Sequence, residues 1–189
     1  MNRFKRTTRR SKLINSDHLN KFVDGISDRR TKALALLILD TGLRPGEAVA
    51  LNKDSIKHES RVLPDGSVQT SITGQVFCAK SQKERTFYLS ARAAAAITDY
   101  LTTDRGDDES PALFVNQDGT RLSSPALLRV IQRCCDLIGI KRIGPRQLRR
   151  QFAYNVVKRG GSPILLKQLL GLSGWDSVQS YMPLDLKVN

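Results

Sequence analysis

Apolar residues recur every three to four positions through most of the chain, a spacing that predicts a mainly α-helical protein. The most apolar stretch, RRTKALALLILD, is expected to form a central core helix that Thr41-Gly42 ends. Pro45 then begins a short helix over residues Arg44 to Leu51. The helical pattern returns in DHLNKFVDGI with Ser16 as its N-cap, SARAAAAITDYL, SPALLRVIQRCCDLIGI, GPRQLRRQFAYNVVKRGG, SPILLKQLLG and a short terminal helix WDSVQSYM that carries Tyr181.

A different pattern between about Lys53 and Ser90 predicts strands. RVLPDGSVQTSI has alternating residues around a Pro-Asp-Gly turn, which indicates a hairpin, and QVFCAK and ERTFYLS flank the polar turn SQK. The segment TDRGDDESP is expected to be an exposed acidic loop, and ALFVNQDGTRLS a short strand and turn. The predicted fold class is therefore mainly α with a small antiparallel β-sheet of about three strands (α+β).

The charge of the chain indicates a polyanionic partner. Its 189 residues include 31 Lys+Arg and 18 Asp+Glu, a net charge of +13. Proteins this basic most often bind nucleic acid, and a basic enzyme of another class is the alternative. Residues 16–189 are predicted to form one domain. Residues 1–15 are predicted to be a basic flexible arm, either a solvated tail or a segment that follows DNA phosphates through Arg3, Lys5, Arg6, Arg9 and Arg10.

The cysteines and the hydropathy argue against secreted and membrane classes. Cys78, Cys134 and Cys135 have no metal-binding spacing and are expected to be buried thiols of a reduced, cytoplasmic protein. The sequence has no apolar run long enough to cross a membrane and no recognisable signal peptide. We therefore expect no membrane partner.

Two segments place cations where they could reach a phosphate. In TGLRPGEAVAL, Glu47 follows Arg44 by three residues on one helical face, so it could hold the guanidinium toward a phosphate or form a structural salt bridge. In AKSQKERTFYLS, Lys80 ends a strand, where it could enter a DNA groove or act as a general acid, or could belong to a solvated turn. Lys83 and Arg85 follow as candidate DNA contacts.

Two later segments supply the remaining candidates. Arg146, Arg149 and Arg150 crowd the start of a predicted helix, where the helix dipole disfavours cations. A phosphate bound there would compensate for this, and an exposed basic face is the alternative. Arg150 is expected to contact the DNA backbone or to form a salt bridge. Tyr181 could be a nucleophile if cations stabilise the transition state, although an isolated tyrosine more often serves packing.

The order of these residues resembles that of the tyrosine recombinases, the lambda-integrase family, from about Ser16 to Tyr181. TGLRPGEAVAL is similar to the family's first box, AKSQKERTFYLS to its β-hairpin, GPRQLRRQFA to its second box and LLGLSGWDSVQSYM to its last box. The resemblance implies the family's catalytic-domain fold without the separate N-terminal DNA-clamping domain, as in fimbrial invertases and small plasmid or transposon resolvases. It also implies a bacterial or mobile-element origin.

The resemblance further implies a role for each candidate. Arg44 and Arg149 would clamp the scissile phosphate, Tyr181 would form a 3′-phosphotyrosine, and Lys80 would protonate the leaving 5′ oxygen. The covalent bond would conserve the phosphodiester energy, so no cofactor and no metal are implied. The implied partners are double-stranded DNA, further copies of the chain in a dimer or tetramer, and accessory DNA-bending proteins.

Two positions depart from the family pattern. Arg146 stands in a histidine slot, where it cannot accept a proton near neutral pH, and Leu172 stands in a histidine or tryptophan slot, where it donates nothing. Trp175 could offer its indole N–H nearby, but core packing is the favoured expectation. The sequence therefore leaves open a site-specific recombinase, a weakened or inactive DNA-binding regulator or accessory protein on the same fold, and other phosphoryl chemistry.

Overall fold

The computed structural model describes residues 13–62, 64–66, 68–78, 82–106 and 109–182, with residues 59, 61, 62, 68–70 and 83 described as backbone only. Within these residues the helices are α1 (Ser16–Gly25), α2 (Arg29–Thr41), α3 (Pro45–Ala50), α4 (Ala91–Tyr100), α5 (Ser124–Ile138), α6 (Pro145–Lys158), α7 (Pro163–Leu170) and α8 (Trp175–Gln179). The strands are β1 (Ile56–Val62), β2 (Val68–Cys78) and β3 (Lys83–Leu89). Lys80 and the predicted arm contacts Arg3, Lys5, Arg6, Arg9 and Arg10 lie outside the described residues.

The fold class predicted from the sequence is confirmed. The strands form an antiparallel sheet in the order β1-β2-β3, with Ile56 opposite Gly74 and Cys78 opposite Lys83. The segments QTSI and QVFC, which the sequence suggested as separate pieces, form one long strand that pairs with both neighbours. Alternate residues of β2 and β3, including Val76, Cys78 and Phe87, face the core.

Helix α2 is the centre of the hydrophobic core, as its apolar sequence predicted. Leu34, Leu37 and Ile38 are fully buried, and the helix packs mainly against α4 and α6. Gly42 ends α2 at a φ of 61°, in the left-handed region that glycine favours. The chain therefore turns sharply between α2 and α3, which brings the start of α3 beside α6.

A second, smaller apolar cluster joins the last three helices. Its buried members are Phe152, Ala153 and Val157 of α6, Leu166 and Leu170 of α7, and Val178 of α8. Leu172 and Tyr181 are partly buried and pack against this cluster. The cluster therefore holds the end of the described chain against α6.

Several local predictions were wrong. Asn15, rather than Ser16, caps α1 by accepting the Asp17 N–H, and Ile14 before it is buried. The first three residues of the segment predicted to be an exposed loop belong instead to a π-helical turn, Leu101–Arg105, that continues α4. Most of the described residues of that segment are exposed, as predicted. Arg105 is buried there because its guanidinium donates to two backbone carbonyls, those of Ser110 and Ala112.

Two more predictions were wrong. ALFVNQDGTRLS forms only isolated bridges, from Ala112 to Asn52 and from Val115 to Arg121, instead of a strand. Helix α8 ends at Gln179, so Tyr181 follows the helix instead of lying on it. The three cysteines are buried thiols that form no disulfide bond, as predicted. Of the helices in the described residues, none has the length and apolar character needed to span a membrane.

Candidate active site

The carboxylate of Glu47, near the start of α3, is shared by three arginines. Its oxygens lie 2.7 Å from Nη1 of Arg44, 3.2 Å from Nη2 of Arg85 and 3.6 Å from Nη1 of Arg149. The Glu47 side chain is only 8% exposed. It also accepts the backbone N–H of Arg44 at 2.7 Å, so it caps the first turn of α3.

The charge of Glu47 is stabilised in this position. Burial by itself would raise the pKa of the carboxyl group, but the backbone N–H of Arg44 and the three guanidinium charges outweigh burial and lower the pKa below its ordinary value of 4.5. Glu47 is therefore ionised at neutral pH and compensates part of the positive charge of the cluster.

The C-terminal end of α7 is a second acceptor for the same three arginines. Three successive carbonyls accept there: Leu169 O from Arg85, Leu170 O from Arg149 at 2.9 Å and Gly171 O from Arg44 at 3.4 Å. Helix C-termini have carbonyls without intrahelical partners and a partial negative charge, which guanidinium groups complement. The arginine cluster thus joins α3, β3 and α6 to the end of α7.

Arg149 is buried and every nitrogen of its guanidinium has a partner. Nη1 donates to Gly42 O at 2.6 Å, Nη2 to Leu170 O, and Nε to the hydroxyl of Tyr181 at 3.2 Å. Its side chain is 3% exposed. Burial lowers the pKa of Arg149, while Tyr181 and Glu47 oppose this shift. The group stays charged, because an arginine pKa lies far above neutral pH.

Tyr181 lies against two arginines of α6. Its ring centroid is 5.8 Å from Cζ of Arg149 and 5.9 Å from Cζ of Arg150. Arg150 also donates to the carbonyl of Ser180, the residue before the tyrosine. A phenol beside two guanidinium groups has the surroundings that a phenolate oxygen, or an oxygen bonded to a phosphate, would need.

Arg44 is the arginine of the cluster that is open to solvent. Its side chain is 29% exposed, against 7% for Arg85 and 3% for Arg149. An arriving phosphate could therefore meet Arg44 first, while Glu47 and the end of α7 hold the guanidinium in place. The structure thus brings Arg44, Glu47 and Arg149 together, and Tyr181 contacts Arg149.

Arg85 does not fit its predicted role as a DNA contact. Its guanidinium is directed inward, where it binds Glu47 and the carbonyl of Leu169. The sequence contained a signal for this direction, because Arg85 alternates with Phe87 and Leu89 on the inward face of β3. Arg85 therefore supports the cluster from the sheet.

The other candidates lie around this cluster. Arg146 is exposed on the first turn of α6, and Leu172 lines an open cleft of about 740 Å³ that Arg85 and Trp175 also line. Core packing was the wrong expectation for Trp175, which is 52% exposed with Nζ of Lys167 4.9 Å from its ring centroid. In the described part of the chain, no three His, Cys, Asp or Glu side chains are placed to hold a metal ion.

Comparisons with known proteins show the family to which the chain belongs. The model of the "Phage integrase family" matches residues 12–187. Tyrosine recombinase XerC of Thermodesulfovibrio yellowstonii is 28% identical over 93% of this chain and 59% of its own length. The crystal structure of XerA recombinase superposes with a TM-score of 0.75 and 25% identity, over 90% of this chain and 60% of that one.

A structure with bound DNA has the same fold. XerH site-specific recombinase bound to its difH substrate, in a pre-cleavage complex, has a TM-score of 0.73 and 23% identity, over 94% of this chain and 52% of that one. The chain thus spans between half and two thirds of the length of each of these three proteins. By its sequence match and its fold, the chain belongs to the phage integrase family, the tyrosine recombinases.

Proposed function

We propose that this chain carries out site-specific DNA recombination by cutting and rejoining DNA through a 3′-phosphotyrosine on Tyr181. One observation carries the proposal: the Tyr181 hydroxyl lies 3.2 Å from Nε of Arg149, and Arg149 and Arg44 converge on the same Glu47 carboxylate. These contacts support Tyr181 as the nucleophile and the two arginines as the phosphate-binding groups. Residues 16–189 would act as the catalytic domain.

The proposed cleavage step exchanges one phosphodiester for another. The Tyr181 oxygen attacks the phosphorus, the bond from phosphorus to the 5′ oxygen breaks, and a 3′-phosphotyrosyl ester forms. Arg44 and Arg149 stabilise the charge on the nonbridging oxygens. The Tyr181 proton passes to solvent, because the two guanidinium groups beside the ring do not accept protons near neutral pH. The free 5′ hydroxyl of another strand then reverses the step.

Lys80 is our candidate for the acid that protonates the leaving 5′ oxygen, although it lies outside the described residues. Cys78, two positions earlier in the sequence, supports this assignment. A Cβ on Gly171 would lie 2.6 Å from the Cys78 sulfur, so the end of β2 touches the glycine whose carbonyl binds Arg44. The last residue of β2 before Lys80 therefore adjoins the arginine cluster, and this contact supports the assignment.

Double-stranded DNA is the partner that we propose, in a dimer or tetramer of the chain on paired sites in the bacterial cytoplasm. The net charge of +13 supports DNA binding, and the related XerH structure contains its DNA substrate. Arg146 and Lys83 are proposed backbone contacts, together with Arg3, Lys5, Arg6, Arg9 and Arg10 of the N-terminal segment. Accessory DNA-bending proteins would assist assembly.

Binding without cleavage is the second candidate function. Leu172 packs on the same apolar cluster as Tyr181 and supplies no donor, and Arg146 offers a cation where a histidine would offer a base. The loss of one positioned donor or base costs about 10²-fold or more in rate. A regulator or accessory protein would retain the DNA contacts and lose the reaction.

A suicide substrate separates these two functions. Nicked duplexes from the DNA flanking the gene would be incubated with wild type and with Tyr181→Phe, and covalent complexes separated on a denaturing gel. We expect an adduct with wild type, none with Tyr181→Phe, and equal mobility shifts for both under native conditions. A clear shift of wild type without any adduct would favour the binding-only function.

A further inference from the structure

In the part of the chain that the structure describes, turn hydrogen bonds hold the backbone around Tyr181. Helix α8 ends at Gln179, and beyond it the Tyr181 N–H donates to Val178 O at 2.9 Å and the Met182 N–H to Gln179 O at 3.3 Å. These are single turn bonds at the end of a five-residue helix. A nucleophile must be held within a fraction of an ångström of its productive position, and such a turn does not hold it that precisely without further support.

Helix α6 supplies that support through two consecutive arginines. Arg149 donates to the hydroxyl of Tyr181, and Arg150 donates to the carbonyl of Ser180, one residue before the ring. Cζ of Arg150 also lies 5.9 Å from the ring centroid. Leu148 and Phe152, on either side of this pair, are buried and fix α6 in the protein. From helix α6, Arg149 thus contacts the hydroxyl of Tyr181, and Arg150 contacts the carbonyl that precedes its backbone nitrogen.

We propose that Arg150 is a positioning residue that fixes Tyr181 relative to Arg149, rather than a contact to the DNA backbone. The inference rests on the proposed function, because it assumes that Tyr181 attacks a phosphate. In this role Arg150 acts through the Ser180 carbonyl and the face of the tyrosine ring. Without it, the Arg149 contact and the packing of Tyr181 against the second apolar cluster would remain, and the ring would have more freedom of movement.

The two roles for Arg150 predict opposite kinetic effects. A positioning residue sets the cleavage rate of the bound complex, so Arg150→Ala should lower the single-turnover rate at saturating protein by roughly 10- to 100-fold. The DNA dissociation constant should change by less than about threefold. A phosphate contact would instead weaken binding, reduce the salt dependence of binding by about one charge, and leave the saturated rate nearly intact.

A measurement without DNA tests the positioning itself. Amide hydrogen exchange at Tyr181 and Met182 should be roughly tenfold faster in Arg150→Ala, as expected for the loss of a hydrogen bond from a charged donor. Exchange in the middle of α6 should be unchanged. Arg150→Lys keeps a cation and a donor and should recover part of both the rate and the protection. Lys158→Ala removes an exposed cation from the same helix and should change neither.

The outcomes distinguish this inference from the proposed function. Unchanged exchange at Tyr181 and Met182 in Arg150→Ala, or an effect confined to the dissociation constant, would overturn the positioning role. If wild type forms no adduct but exchange still depends on Arg150, the positioning of Tyr181 stands and the recombinase function fails. If Arg150→Ala does not fold, Arg150→Lys is compared with wild type in its single-turnover rate, its DNA dissociation constant and its amide exchange at Tyr181 and Met182. Unchanged exchange, or an effect on the dissociation constant alone, would again overturn the positioning role.

Discussion

Replacing Glu47 with glutamine removes the negative charge that Arg44, Arg85 and Arg149 share. The side chain is nearly buried, and breaking a buried ion pair from one side typically costs about 3–5 kcal/mol. The lower end applies here, because the glutamine oxygen can still accept the Arg44 N–H and the α7 carbonyls still bind the three guanidinium groups. We therefore expect the free energy of unfolding to fall by about 3 kcal/mol, a large part of the 5–15 kcal/mol that is typical of a folded domain.

Urea unfolding measures this loss directly. With a slope of about 2–3 kcal/mol/M for a protein of this size, the midpoint should fall by roughly 1–1.5 M without a change in slope. Glu84→Gln is the matched control, because it removes an exposed carboxylate from the strand position next to Arg85 and should cost no more than about 0.5 kcal/mol. A loss below 1 kcal/mol for Glu47→Gln would refute the claim that this carboxylate holds the arginine cluster together.

The effect of Glu47 should also depend on pH. Its pKa is lowered in the folded state, so its contribution is fully present above the ordinary value of 4.5 and is lost as the pH falls through the folded pKa. The stability difference between wild type and Glu47→Gln should therefore be constant from neutral pH down to about that value and should shrink below it. A difference that persists unchanged in acid would show that charge is not its cause.

Two further substitutions test the local geometry. Gly42→Ala places a Cβ 2.4 Å from Cδ1 of Phe152 at a φ of 61° and should lower the free energy of unfolding in urea by at least about 2 kcal/mol. The control Gly139→Ala, at a φ of 72° in open space, should lower it by only about 1 kcal/mol. Equal losses would show that the Phe152 side chain moves aside without cost. Leu172→His adds a donor beside the open cleft and should raise the single-turnover rate of adduct formation about tenfold or more. If Leu172→His reacts at the same rate as wild type, the side chain at position 172 does not reach the reacting phosphate.

Much of the fold could be predicted because its signals are local. Helix α2 follows from its apolar sequence, its end from Gly42, and the sheet from the alternation around the Pro-Asp-Gly turn. The pairing of Arg44 with Glu47 is likewise a contact three residues apart on one helix. The meeting of Arg149 with Tyr181 spans 32 residues, and only the resemblance to the recombinases indicated it in advance.

The parts that could not be predicted depend on contacts distant in sequence. Arg85 was expected to face DNA because it is charged and follows a polar turn, but a carboxylate 38 residues away and the end of α7 draw it inward. Arg105 lies in an acidic segment whose composition predicts exposure. Its guanidinium nevertheless turns inward and donates to backbone carbonyls five and seven residues later in the sequence. Hydrogen bonds from these guanidinium groups to buried acceptors offset part of the cost of burying an arginine, which usually lies at the surface.

The measurement that tests the central claim most directly is the chemical identity of the attachment site. The covalent complex would be digested with nuclease and trypsin and its peptides analysed by mass spectrometry. Tryptic cleavage after Lys167 and Lys187 gives a peptide in which Tyr181 is the single tyrosine. We predict that this peptide carries a nucleotide joined through a 3′-phosphate to Tyr181. A nucleotide on any other residue, or an unmodified peptide from protein that binds the same DNA, would contradict the account.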